Sequence, residues 1–299
     1  MRIVGIIGKV LIAGGITLLL FTAYQIWGTA IQEAHTQSAL RSSLEHETRN
    51  AQVRRALAEA TALAKLPTGP PVAAATTSAP AEGKAVGELR IPAIGLNQVV
   101  VEGTNTQDLR KGPGHYTGTP LPGQTGNAAI AGHRTTYGHP FYSLNVLKVG
   151  NPIVVTSIQG IFVYDVTKTQ VVAPSNSSVI ANTPGVHLTL TTCNPRFSAS
   201  TRLVVTGVLA HSQLFANPGL PRGVAKRPKS NNLAGDSNGQ LKDAIFWGAL
   251  VLMAGAVILL LAHLFPRPRW IIYVVGTAGL LVPLYVFFGA ISPLLPASF

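Results

Sequence analysis

Three uninterrupted apolar stretches constrain this chain more than anything else in it. Residues 3–27, 244–265 and 270–295 are almost free of charge and long enough to cross a bilayer, since a helix needs about 20 apolar residues to span roughly 30 Å of hydrocarbon. In lipid such segments fold as helices, because each backbone polar group must find its partner within the segment. Composition agrees: 47% of the residues are hydrophobic and only 11% are charged, a balance foreign to ordinary soluble domains. The last two stretches are joined by Pro266-Arg267-Pro268-Arg269, which reads as a tight hairpin turn. Trp247, Trp270 and Tyr273 lie near segment ends, where amphipathic rings favour the interface.

The first stretch reads as an uncleaved anchor over residues 1–30. A leader cleaved near Gly28-Thr29-Ala30 is the alternative, and either one exports the residues beyond it. Charge in the short loops sets the orientation: Arg2, Lys9, Arg267 and Arg269 belong on the cytoplasmic side, which places residues 28–243 outside and makes the cell membrane the expected location. The net charge is +12, and the basic run Arg222, Lys226, Arg227, Lys229 falls in the exported part. Long translocated domains largely ignore the charge rule. The run reads as a solvated linker, with contact to anionic envelope polymers or headgroups as the alternative.

Residues 31–66 are rich in Ala, Leu, Glu and Arg and lack Gly and Pro, which predicts helix. The apolar face is weak, so a stalk is expected rather than a core element. Residues 67–87, dominated by Pro, Ala, Thr and Ser, predict an extended, disordered linker. From residue 86 to 212 the texture changes. Short β-rich runs at 87–91, 98–101, 127–131, 152–157, 161–166, 186–192 and 203–209 alternate with Gly, Pro and Asn turns. Helical pieces fit near 107–111 and 141–147. Such a pattern predicts an antiparallel sandwich or barrel, with residues enough for one hydrophobic core. The expected organisation is therefore an anchor (1–30), a helical stalk and linker (31–85), a β domain (86–212), a second linker (213–243) and a membrane hairpin (244–295).

The β domain holds the chain's only cysteine, Cys193. Side chains alternate faces along a strand, so Val186, Leu188 and Leu190 share the core face while His187, Thr189, Thr191 and Cys193 share the other. Asn194-Pro195 ends the strand directly after the thiol, which predicts its exposure at a rim. A lone exported thiol has no intramolecular disulfide partner and is a liability unless used. Nucleophilic use needs a nearby cation or base. Arg202 opens the next strand-like run and faces Cys193 across a turn; Arg196, inside the loop, reads as a solvated charge. Of the five histidines in this region, His211 follows the last strand-like run, and His115, His133, His139 and His187 are candidates for the acid–base group. His133 closes the 127–131 run, and Gly132 before it permits close backbone approach.

Other chemistries lack their signatures. No Cys/His cluster has zinc spacing, and the domain's carboxylates, Glu88, Glu102, Asp108 and Asp165, are dispersed. Neither phosphate-binding glycine motif occurs. No metal or cofactor is expected, and the outward-facing basic charge without a nucleic-acid fold excludes nucleic acid as a partner.

The run TLTTC (residues 189–193) followed by Arg202, together with AGHRTTYGHPF (131–141), resembles the sortases, the cysteine transpeptidases of Gram-positive surfaces. The second motif, with GPGHY and PGQTGN upstream, is similar to the class E sortases of high-GC Gram-positive bacteria. The resemblance covers about residues 86–212. It implies an all-β fold, a closed eight-stranded β-barrel with short helices, here accompanied by one N-terminal and two C-terminal transmembrane helices. It also implies a catalytic triad of His133, Cys193 and Arg202. The implied substrates are exported proteins with a C-terminal sorting signal of the Leu-Pro-x-Thr-Gly or Leu-Ala-x-Thr-Gly type, cut between Thr and Gly, the acyl group passing to a cell-wall precursor amine. Thr192 and Tyr137 are expected to contact substrate. Class E members usually carry a single N-terminal anchor, so the C-terminal hairpin departs from their pattern. The same residues would serve a peptidase that passes the acyl group to water. A non-catalytic barrel that binds peptide by strand addition is the remaining alternative.

Overall fold

The computed structural model describes residues 2–47, 70–215, 241–265 and 269–292. These contain five α-helices, α1 (Arg2–Ala23), α2 (Thr29–Glu47), α3 (Thr106–Leu109), α4 (Leu241–Leu264) and α5 (Arg269–Ile291). Eight strands lie between α2 and α4: β1 (Ala85–Ile91), β2 (Leu96–Glu102), β3 (Gly114–His115), β4 (Gly126–Ala131), β5 (Pro152–Ser157), β6 (Gly160–Val172), β7 (Val186–Asn194) and β8 (Thr201–Leu214). The chain divides into two compact units, one drawn from residues 1–28 and 236–296, the other from residues 29–235. The basic run at 222–229, most of the second linker and the turn at 266–268 lie outside the described residues.

In the first unit, helical segments suited to a bilayer by length and composition are Lys242–Leu264 and Trp270–Ile291; a third, Leu11–Glu45, begins in this unit. Aromatic rings knit the helices together: Phe21 meets Phe288 edge-on at 5.1 Å and Tyr24 meets Tyr285 at the same distance. Gly248 lets α4 approach Phe287, and Gly276 lets α5 approach Ile258, the small-residue contact that membrane helices favour.

The second unit is a closed barrel in the order β1-β2-β3-β4-β7-β8-β6-β5. Its interior follows the strand alternation: Leu188 and Leu190 of β7 and Leu203 and Val205 of β8 point into one cluster with Leu89, Ile130, Phe141 and Phe162. Most pairs are antiparallel, as the turn pattern predicts, but β2 pairs with β3 and β4 with β7 in parallel. The expectation of a wholly antiparallel sheet is thereby corrected. β6 and β8 run past the apolar runs of their sequences, since the polar late half of each is paired by the apolar early half of the other, as Gln170 with Val204 and Ser212 with Phe162.

Helix α2 is not a free stalk. One stripe of it, Thr29, Glu33, Gln37, Leu40 and Leu44, lies against the barrel, with Leu40 and Leu44 packed in a cluster with Ala85, Val99, Val101 and Phe215. Arg41 pairs with Glu88 at 2.8 Å. The stripe is half polar, and apolar periodicity cannot register it.

Its central residue repairs a gap in the barrel. Strand β3 has only two residues and pairs with β2 only at Val101 and Glu102, which leaves the earlier edge of β2 without a ladder. The Gln37 carboxamide takes the missing place: Oε1 accepts the Val99 N–H at 2.7 Å, and Nε2 donates to Val99 O at 2.9 Å and Lys111 O at 2.7 Å. One side chain thus supplies the donor and acceptor that a neighbouring peptide would have supplied.

The Pro/Ala/Thr/Ser run is ordered from Pro70 onward, which corrects the expectation of a disordered linker there; residues 48–69 lie outside the described residues. Its extended backbone is held by side chains of the barrel. Ser212 Oγ accepts the Val72 N–H at 2.8 Å, Ala74 N–H donates to Gly123 O at 2.7 Å, and Gln159 Nε2 donates to Ala75 O at 2.7 Å.

Leu44→Ala should lower the stability of this unit by about 2–4 kcal/mol. Gln37→Ala should raise the exchange rate of the Val99 amide more than about tenfold, as its bond is lost to solvent. Hydrogen-exchange mass spectrometry on the full chain reads the second effect, and unchanged protection at Val99 would refute the docking of α2.

Candidate functional site

The parallel pairing of β4 with β7 decides what meets what. Its register runs from Gly126 opposite Val186 to Ala131 opposite Thr191. Just past that point the two strands stay tied: Gly132 N–H donates to Thr191 O at 3.1 Å, and Thr192 Oγ1 donates to Gly132 O at 2.7 Å. Two residues beyond the last pair stand His133 on one strand and Cys193 on the other. On the far side of β7, Cys193 is the direct antiparallel partner of Arg202 on β8. Three neighbouring strands, about 5 Å apart, therefore bring His133, just past the end of β4, together with Cys193 and Arg202 to one end of the sheet.

The alternation places the thiol with Thr189 and Thr191, on the barrel's outer face. That face is not open. Thr189 is 0% and Thr191 2% exposed, beneath a small cluster of Tyr116, Ala129, Ala131 and Ile180. Thr191 shares a hydrogen bond with Tyr116 Oη at 3.0 Å. Cys193 itself is half-buried, not exposed at a rim as the sequence suggests.

Electrostatics at the site favour neutral groups at rest. Burial pushes the Cys193 thiol up, while the Arg202 and Arg134 guanidinia pull it back part of the way. Burial, and after it the Arg110 guanidinium, holds the His133 imidazole down at about 4. Desolvation disfavours whichever form is charged, so a thiol and a neutral imidazole dominate at neutral pH. His133 Nε2 is buried with no hydrogen-bond partner among the described residues, the condition of a ring nitrogen able to exchange a proton. Arg202 is buried, and its Nη1 donates to Ala199 O at 3.0 Å and Thr201 O at 3.1 Å, which steers the guanidinium along the β7–β8 loop.

The other histidines are engaged elsewhere. His115, fully buried, bonds Glu102 at 2.7 Å and Pro120 O at 2.9 Å. His187 bonds Pro184 O at 2.8 Å, and the His139 ring lies 5.5 Å from that of Tyr142. Thr192 points to the barrel interior and commits its hydroxyl to the Gly132 carbonyl; it ties the two strand ends together instead of facing the thiol. Tyr137 is buried with its ring 5.0 Å from the His133 ring. Gly132 is required by a close approach, since a Cβ there would fall 2.6 Å from the buried Phe141 ring.

Sequence reasoning misses three side chains. Arg134 donates from Nη1 to Cys193 O at 3.1 Å and to Asn194 Oδ1 at 2.8 Å, and from Nη2 to Asn145 Oδ1 at 3.0 Å, bracing the end of β7. Its adjacency to His133 in the sequence was the available signal. Tyr116, inside the GPGHY run, has its hydroxyl raised to about 12, chiefly by burial. Arg110 sits 5.5 Å from the Tyr137 ring centre, and nothing in its own neighbourhood of the sequence announces that. Among the described residues no three His, Cys, Asp or Glu side chains cluster as metal ligands.

Comparison with known proteins places the chain among relatives. Residues 89–210 match the family model of the sortase domain. Sortase SrtE1 of Streptomyces coelicolor is 31% identical over 224 residues, 69% of this chain and 57% of that protein. Sortase SrtE2 of the same organism is 29% identical over 229 residues, 70% of this chain and 83% of that one. The structure of sortase E from Streptomyces avermitilis is 39% identical and covers 47% of this chain and 97% of its own, with a TM-score of 0.42. The chain thus spans a little over half the length of SrtE1.

The low His133 value carries a stability consequence. Between about pH 6.5 and 4 the unfolded chain binds a proton that the folded chain refuses. The stability is fully present above that window and falls as pH drops through it, by roughly 3 kcal/mol in all. Denaturant midpoints at pH 7 and pH 4.5 should therefore converge in His133→Asn relative to the wild type. Equal pH dependence in the two proteins would contradict the burial of a neutral imidazole.

Proposed function

Since this chain belongs to the sortase family, we propose that it is a membrane-anchored cysteine transpeptidase in which Cys193, His133 and Arg202 carry the chemistry. The observation that supports this most directly is the Cys193–Arg202 cross-strand pair, flanked by the strand end that bears His133. The substrate is an exported protein with a C-terminal sorting signal of the Leu-Pro-x-Thr-Gly or Leu-Ala-x-Thr-Gly type, and the cut falls between Thr and Gly.

Attack begins when the Cys193 proton passes to His133 and the sulfur adds to the Thr carbonyl carbon. A neutral resting pair suits this order, because charge appears only as the bond forms. The carbonyl oxygen becomes an oxyanion, and Arg202 offers it a permanent charge and a fork of donors. Collapse of the adduct breaks the C–N bond, His133 returns its proton to the departing Gly amine, and a thioester remains on Cys193. A cell-wall precursor amine then attacks the thioester, loses a proton to His133, and leaves as the amide while the thiol is restored. The three bilayer-compatible helical segments would hold this unit at the membrane, with the barrel on the extracytoplasmic side.

The full chain in detergent, given a Leu-Ala-x-Thr-Gly or Leu-Pro-x-Thr-Gly peptide and a free amine, should yield the amide ending at Thr, read by mass. Cys193→Ala should abolish it, and Arg202→Ala should lower it by about a hundredfold, the scale of losing an oxyanion donor. A product bearing only a free carboxylate at saturating amine would replace the transferase by a peptidase. Full turnover in Cys193→Ala would leave peptide binding alone.

A further inference from the structure

Helix α2 touches the loop after the imidazole. Thr29, fully buried at the start of that helix, accepts the Tyr137 backbone N–H on its Oγ1 at 3.1 Å, across 108 positions of sequence. Tyr137 has φ 48, the left-handed region that residues with a side chain seldom occupy. Such a conformation costs on the order of 1–3 kcal/mol and persists only where its surroundings enforce it. Its ring lies against His133.

The next residue tightens the same contact. Gly138 has φ 69, and a Cβ there would overlap the carboxylate of Glu33, one helical turn on from Thr29. Glu33 is buried, and its Oε1 has no hydrogen-bond partner among the described residues. A buried carboxyl left unpartnered is costly. What distinguishes the spot is the turn it supports.

We propose that Thr29 and Glu33 of α2 are positioning residues for the reaction, holding the 134–138 turn in the conformation that seats Tyr137 against His133. Thr29 fixes the strained Tyr137 peptide, and Glu33 fills the space under Gly138. Neither reaches β7 or β8 through this contact, so the thiol and guanidinium keep their places without them. Loss of the contact lets the turn relax toward ordinary φ values and leaves the imidazole without its backing. Proton transfer then suffers while peptide binding and thiol reactivity do not. The inference rests on His133 serving as the acid–base group.

The test uses the full chain in detergent with the Leu-Ala-x-Thr-Gly peptide and a free amine. Thr29→Val keeps the volume and removes the acceptor; Glu33→Ala empties the space. Each should lower kcat about tenfold, with KM and the rate of iodoacetamide alkylation at Cys193, the only cysteine, within twofold of wild type. Thr29→Ser and Glu33→Gln should restore most of the loss. Wild-type kcat in Thr29→Val overturns the proposal. So does a fall in which alkylation and thermal midpoint change in parallel, or one that Ser fails to rescue, since either marks a role in folding alone. Absence of Cys193-dependent turnover in the wild type is a separate outcome, which removes the transpeptidase reading and this role with it.

Discussion

Parallel pairing of β4 with β7 is the constraint on which the rest of the site depends. Residues 131 and 191 are sixty positions apart, and no local preference brings them together; the ladder from Gly126–Val186 to Ala131–Thr191 does. Parallel neighbours end at the same end of the sheet, so their last side chains emerge together. An antiparallel neighbour would have carried His133 away from Cys193. The β7–β8 hairpin then adds Arg202 from the other side at little entropic cost, because its loop is short. Sheet order thus gathers His133, Cys193 and Arg202 at one end of the barrel, each from a different strand or strand end.

The two-residue β3 shows what that sheet order demands elsewhere. A chain that must cross from β2 to β4 within a closed barrel leaves little room for a full strand, and the resulting edge is sealed from outside by α2. The same helix reaches the His133 loop at its first turn and the β1–β2 surface at its last. One element therefore both completes the barrel wall and borders the candidate site. Hydrophobic burial supplies only part of its attachment; hydrogen bonds from Gln37 and the Arg41–Glu88 pair supply the rest.

Much of this was legible in the residues, for identifiable reasons. Strands such as β5, Pro152–Ser157, are short β-branched runs bounded by turn residues, and the sequence locates this one to the residue. The Cys193–Arg202 pair follows from counting across a hairpin, and His133 stands out as the imidazole closing an apolar run. What escaped is what depends on distant partners. Nothing in Gly114–His115 marks a strand, since its pairing is imposed by β2 and β4. The docked face of α2 reads Thr, Glu, Gln, Leu, Leu, and a hydrophobic pattern cannot single it out from a solvated helix. Thr192 looked like a group for substrate because it precedes Cys193, yet alternation alone sends its hydroxyl inward to Gly132 O. The half-burial of Cys193 is likewise invisible to strand periodicity, which fixes the face but not its exposure.

The Gln37 carboxamide has one further implication, which concerns time. Among natural side chains only asparagine and glutamine present a donor and an acceptor with the geometry of a peptide, and the shorter of the two would not span from α2 to β2. Hydrolysis of that amide would change the chain's mass by about one dalton and its volume hardly at all. It would also set a carboxylate oxygen opposite the carbonyls of Val99 and Lys111, which Nε2 now satisfies. Two attractive contacts would become repulsive ones inside a seam with little water to screen them. Deamidation at this single position would therefore weaken the hold of the helix on the barrel with no mutation and no cleavage of the chain, leaving it to Leu40, Leu44 and the Arg41–Glu88 pair.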